Sequence, residues 1–170
     1  YAISLGIIEH NASDRVCHLI TQAPVQHRKF ISEPRHLGAF LHNAFEFLAT
    51  HPNNRTVQII CLLPYVFTRK SELALVQLSE LDFENCIWTI PAERMKMRRQ
   101  HKVPLATQVC GFFRSIIEAH NLTLPTARLF VRSQTADRYA DSARRYLDLF
   151  CPDCPGTMLH GFRATASTFL

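Results

Sequence analysis

The chain has 170 residues and a net charge of +5 at neutral pH, with a pI near 9.1. That is long enough for one domain with a buried core, and the positive balance allows a polyanionic partner without showing one. At 47% hydrophobic and 19% charged residues the composition excludes a disordered tail, no apolar run reaches the length of a bilayer span, and the N-terminus lacks the pattern of a secretory signal, so a soluble cytoplasmic protein is expected.

Taken in chain order, "YAISLGIIEHN" opens without a cap signal and reads as the tail of a helix that ends near Asn11. From Ala12 to Pro34 no period is sustained, and Pro24 and Pro34 punctuate a linker. Leu37, Phe40, Leu41, Ala44, Phe45 and Leu48 recur at helical spacing, giving an amphipathic helix that stops before His51 and Pro52. "RTVQIICLLPYVF" is apolar nearly all round and reads as a central buried helix that Pro64 ends or kinks. A short helix follows from about Lys70 to Val76.

The period then changes. "LSELDF", "CIWTIP" and "HKVPL" are short, rich in β-branched and aromatic residues, and Glu84 with Asn85 supplies a turn between the first two. They predict a three-stranded antiparallel sheet whose second connection, "AERMKMRRQ", is a long polar hairpin tip. Val109, Phe112, Phe113, Ile116 and Ile117 mark another helix, Ala143, Tyr146, Leu147 and Phe150 a further one, and the segment from His160 a last one. The fold class is therefore mainly α with a small antiparallel sheet.

Four features carry chemistry. Arg94, Lys96, Arg98, Arg99 and Lys102 crowd one hairpin together with His101; such a cluster suits a phosphate backbone, and equally describes a solvated basic loop. Arg69 leaves the most apolar helix and Glu72 follows one turn later, a spacing common on surfaces but also suited to a guanidinium that must hold an oxyanion from a rigid base. His160 and Arg163 share a helix face and could donate to one phosphate, and Gly161 leaves room for close approach of a backbone or ligand. Cys151 and Cys154 have the spacing of half a zinc knuckle or a redox pair, but no second pair completes it and the flanking prolines favour an irregular loop. The six cysteines as a whole are scattered through apolar stretches and are expected as reduced, mostly buried thiols. No glycine-rich phosphate loop, HExxH or GxSxG is present. Arginine, lysine, histidine and arginine remain, a set able to stabilise charge on a phosphoryl centre without metal.

"FTRKSEL", then "LSELDFENCIWTIPAERMKMRRQHKVPL", then "HGFRATAST" resemble the catalytic domain of tyrosine recombinases, in particular the integrases of prophages, satellite phages and genomic islands. The resemblance covers nearly the whole chain and implies that residues 1–11 are the end of a core-binding domain helix, 12–30 a linker, and 31–170 the catalytic domain without its C-terminal part. It implies roles residue by residue. Arg69 and Arg163 would clamp the scissile DNA phosphate, Glu72 would support Arg69, Lys96 would protonate the leaving 5′-hydroxyl, and His160 would assist proton transfer. Arg94, Arg98, Arg99 and Lys102 would bind DNA. The family's tyrosine attacks through a 3′-phosphotyrosyl link without metal or nucleotide, on double-stranded attachment sites and as a tetramer.

That tyrosine follows the His-x-x-Arg helix, whereas Tyr1, Tyr65, Tyr139 and Tyr146 all precede it. The resemblance therefore implies a fragment unable to cleave DNA by itself, or a DNA-binding remnant. Lys70 and Ser71 also stand where the family usually has small turn residues after its first arginine, which puts the turn around Arg69 in question.

Overall fold

The computed structural model describes residues 3–7, 9–10, 29–130 and 138–169. Its elements are the helices α1 (Pro34–Thr50), α2 (Arg55–Val66), α3 (Lys70–Ala74), α4 (Thr107–Ala119), α5 (Arg138–Phe150) and α6 (Gly161–Phe169), and the strands β1 (Leu81–Asp82), β2 (Ile87–Ile90) and β3 (His101–Pro104).

Helix α2 is the hub. Asn54 caps it by accepting from the Val57 amide at 3.2 Å, and nine of its residues from Val57 to Val66 are buried. Pro64 sits in its last turn without breaking it, and the helix stops at Phe67, whose left-handed backbone (φ 50°) lets its amide reach the Leu63 carbonyl. Helices α1, α5 and α6 pack around it. Phe40 of α1 meets Phe162 of α6 at 5.1 Å between ring centres and Phe150 of α5 at 6.3 Å. A hydrogen bond from Asn54 to the Tyr146 hydroxyl (2.8 Å) ties α5 to the start of α2.

The sheet has the order β1-β2-β3, antiparallel throughout, with Trp88 opposite Leu81 on one side and Val103 on the other. Trp88, Ile90 and Val103 turn into the core, while Lys102, opposite Thr89, stays exposed. The β1–β2 turn is built by Asp82, which accepts from the amides of Glu84 and Asn85 and from the Asn85 side chain at 2.7 Å. The Asn85 side chain is the main reason the Asp82 carboxyl is held below its ordinary value.

Three sequence expectations are corrected. Residues 3–7 form a turn rather than the end of a helix, closed by a Gly6 amide bond to the Ile3 carbonyl with Gly6 at φ +68°; a left-handed residue there stops helical propagation. Pro34 belongs to α1 instead of the linker, because a proline fits the first helical turn, where no amide partner is needed. The first strand is shorter than "LSELDF", since Leu78–Glu80 wind into a 3₁₀ turn that buries Glu80. Residues 12–28 of the expected linker lie outside the described residues. Among the described residues no helix is long and apolar enough to cross a membrane.

Candidate functional site

The site is assembled where α2 hands over to α3. Arg69 is the N-cap of α3 in extended backbone, and Glu72 reaches back to it twice: Oε2 accepts from the Arg69 amide at 2.8 Å and Oε1 from Nη1 at 2.7 Å. One carboxylate thus caps the helix and fixes the guanidinium. Glu72 is 5% exposed and the Arg69 side chain 36%, so the pair is rooted in the core with the guanidinium open on one side. Lys70 and Ser71 do not disturb this turn, because the left-handed residue it needs is Phe67, two positions before Arg69.

A second arginine–glutamate pair adjoins the first. The Glu80 carboxylate is buried and accepts from Trp88 Nε1 at 3.0 Å and from Arg94 Nη1. Arg94 also donates through Nη2 to the backbone carbonyl of Glu72. That carbonyl is an orphan of the short helix, since the amides of Leu75 and Val76 go instead to Ser71 and Leu73. Arg94 is 17% exposed and turned inward, so of the five hairpin cations expected to face DNA it is the one held by the protein.

Lys96, Arg98 and Arg99 are exposed on the hairpin, with Arg98 in left-handed backbone (φ 49°), and Lys102 is exposed on β3. Arg69, Ser71, Glu72, Leu75, Arg94 and Lys96 line one open pocket of about 310 Å³. The hairpin therefore brings Lys96 to Arg69, while Arg98 lines a separate hollow with Ala92 and Glu93.

His160 and Arg163 are exposed at the start of α6 and do not line the Arg69 pocket. They ride on a helix whose other face, Phe162, Thr165 and Ala166, is buried, and which packs on α2. Gly161 is required by a backbone, not a ligand: a Cβ there would stand 2.7 Å from the Lys29 carbonyl oxygen. Lys29 is pinned on the same side by its ammonium, which donates to the Pro155 carbonyl at 3.3 Å.

Cys151 is buried and Cys154 half-buried, the latter with its sulfur 3.4 Å from His36 Nδ1. Burial first, and the neighbouring Cys154 thiol second, push the Cys151 thiol up to about 12. Among the described residues no group of three or more His, Cys, Asp or Glu is placed to hold a metal ion.

Sequence reasoning missed Glu80. A usable signal existed, because a carboxylate between Leu78 and Leu81 that turns inward must find a cationic or N–H partner.

The Phage integrase family profile matches residues 39–170. The Escherichia coli (strain K12) protein IntB is 32% identical over 137 residues, covering 72% of this chain and 34% of its own length. Prophage integrase IntA of the same strain is 51% identical over 39 residues, 23% of this chain and 9% of that protein. Among solved structures, the Tn1549 transposon integrase in complex with transposon right end DNA superposes with a TM-score of 0.64 at 18% identity, over 93% of this chain and 58% of that one. XerA recombinase does so with a TM-score of 0.62 at 15% identity, over 88% and 51%. The chain spans about a third of the length of IntB and little more than half of either solved recombinase. Its fold is that of a recombinase catalytic domain, and the chain belongs to the phage integrase family of tyrosine recombinases.

Proposed function

We propose that this chain supplies the phosphate-binding part of a site-specific DNA integrase. The observation that carries the reading is the Arg69–Glu72 pair at the head of α3 with Lys96 across the same pocket. A guanidinium oriented by a buried carboxylate, beside an exposed ammonium, is an arrangement that stabilises charge on a phosphoryl group in flight. The relatives' names and the DNA-bound state of the Tn1549 transposon integrase agree with double-stranded DNA as the partner.

In this reading Arg69 and Arg163 hold the two non-bridging oxygens of the scissile phosphate. A tyrosine hydroxyl passes its proton to His160 as its oxygen attacks phosphorus, the bond to the 5′-oxygen breaks, and the leaving oxygen takes a proton from Lys96. The product is a 3′-phosphotyrosyl link that keeps the energy of the broken bond, and a 5′-hydroxyl of the other strand reverses the step. Neither Tyr146 nor Tyr65 is assigned the attack. The Tyr146 hydroxyl is engaged with Asn54 between α5 and α2, and Tyr65 lies on α2 away from the pocket lining. Arg98, Arg99 and Lys102 add contacts to the DNA backbone from the hairpin and β3, and the tetramer on paired sites belongs to the whole protein.

The test is DNA affinity as a function of salt. Every phosphate that a variant no longer neutralises lowers the slope of log K against log salt by about 0.9. Arg69→Ala and Arg163→Ala are each expected to weaken binding and flatten the slope by about one such step. Unchanged affinity and slope in both variants would remove the phosphate clamp.

A further inference from the structure

We infer that Arg94 is a positioning residue that sets the hairpin so that Lys96 stands over the Arg69 pocket, and that it is not itself a DNA contact. This rests on the reading that Lys96 faces the scissile phosphate.

The hairpin between β2 and β3 is long, polar and exposed from Lys96 to Lys102. Left to its own sequence it would sample many conformations, because its exposed cations repel one another. Arg94 and the half-buried Met95 are where it is fastened. The guanidinium of Arg94 bridges two separate parts of the fold, the Glu80 carboxylate below β2 and the Glu72 carbonyl at the end of α3. Glu80 is in turn held by Trp88, a fully buried residue of β2. The chain Trp88, Glu80, Arg94, Glu72, Arg69 is therefore continuous, and Lys96 follows two residues after its central member.

A planar fork is needed for this task. Nη1 and Nη2 donate to acceptors on different elements, which a lysine ammonium on a single stem cannot reproduce with the same geometry. A backbone phosphate contact is less demanding, since a lysine still neutralises the phosphate as a point charge. Arginine-to-lysine replacement thus separates the two roles.

Two measurements on the 170-residue chain decide it. The first is amide hydrogen exchange of the free protein. Arg94→Gln and Arg94→Lys are both expected to speed exchange in residues 95–100 and at the α3 amides, while Arg98→Ala leaves these unchanged. The second is affinity for a short duplex of random sequence. Both Arg94 variants are expected to fall to the affinity of Lys96→Ala, and adding Arg94→Gln to Lys96→Ala should change affinity by less than about twofold, the scatter of non-interacting sites.

The inference is overturned if Arg94→Lys binds with wild-type affinity and salt slope while Arg94→Gln loses slope, or if exchange in residues 95–100 does not respond to either. It is also overturned if the Arg94 and Lys96 losses multiply. Loss of the underlying DNA reading looks different: Lys96→Ala and Arg69→Ala would then bind as wild type, whatever exchange reports about Arg94.

Discussion

Gly161→Ala tests how α6 is seated. Adding a Cβ at this position places a carbon 2.7 Å from the Lys29 carbonyl oxygen, 3.1 Å from Phe30 Cβ and 3.2 Å from Phe30 Cα. An ordinary carbon–oxygen approach is about 3.3 Å or more, so one side must give by roughly half an ångström. Neither side yields easily. The obstruction is backbone, Lys29 is held by its bond to Pro155, and Ile31 just beyond is fully buried. Overpacking of this kind costs about 1–3 kcal/mol, against which alanine recovers at most about 1 kcal/mol of helix propensity. The net loss is up to about 2 kcal/mol, which lowers the melting temperature of a chain this size by up to about 8 °C. Gly38 in α1 and Gly111 in α4 are the controls, since nothing lies within 4 Å of a Cβ at either. Gly38→Ala and Gly111→Ala are expected to stabilise, by up to about 1 kcal/mol each. Thermal or urea unfolding of the three variants gives the answer. A Gly161→Ala protein as stable as the two controls would refute the close approach of Lys29 to α6.

Glu72→Ala removes a helix cap and a charge-assisted bond together, so unfolding should show a loss of about 2–3 kcal/mol, and DNA binding should weaken because Arg69 loses its orientation; a loss under about 0.5 kcal/mol would contradict the capping geometry. The thiols of Cys61 and Cys151 are both pushed up to about 12, chiefly by burial, so the folded state holds their protons more tightly than the unfolded chain does. Their contribution is whole below the ordinary thiol value of 9.0 and is lost as pH rises from there towards 12. The stability difference between wild type and the Cys61→Ala/Cys151→Ala double variant, from urea titrations, should change as pH rises above 9.0; a difference that does not vary with pH there would sink this reading.

Much of the scaffold could be read from the sequence because its determinants are local. Leu37, Phe40, Ala44 and Leu48 repeat at the helical period and do form one face of α1, and Trp88 and Ile90 alternate inward along β2 as β-branched and aromatic patterning implies. Glu84 and Asn85 mark the turn after β1 in the sequence, and the structure adds Asp82, which closes it by accepting from both their amides. What failed to show was non-local. Glu80 lies in a stretch that looks like strand, and only its meeting with Trp88 and with Arg94, 14 residues away, explains a buried carboxylate there. The N-terminal stretch reads as a helix tail because it opens without a cap signal, but at residues 3–7 the left-handed Gly6 closes a turn instead. Spacing equally could not rank Arg94, Lys96 and Arg98, which differ by two residues each and meet three different environments.

The two arginine–glutamate pairs show what does rank them. Arg69 and Arg94 both line the same pocket, both pair with a buried glutamate, and both are tied to Glu72, one to its carboxylate and the other to its carbonyl. A guanidinium has five N–H donors in a fixed plane, so its remaining capacity decides its use. Arg94 directs both terminal nitrogens to protein acceptors at 17% exposure, and a phosphate that displaced Glu80 from Nη1 would leave that carboxylate buried without its cation. That displacement costs several kcal/mol. Arg69 pairs with Glu72 through Nη1 and keeps 36% of its side chain exposed, so an incoming oxyanion meets donors already aimed and gives up no existing bond. Proximity to the pocket makes both arginines candidates, and donor geometry is what favours Arg69 as the group open to an oxyanion and Arg94 as its support in the proposed reading.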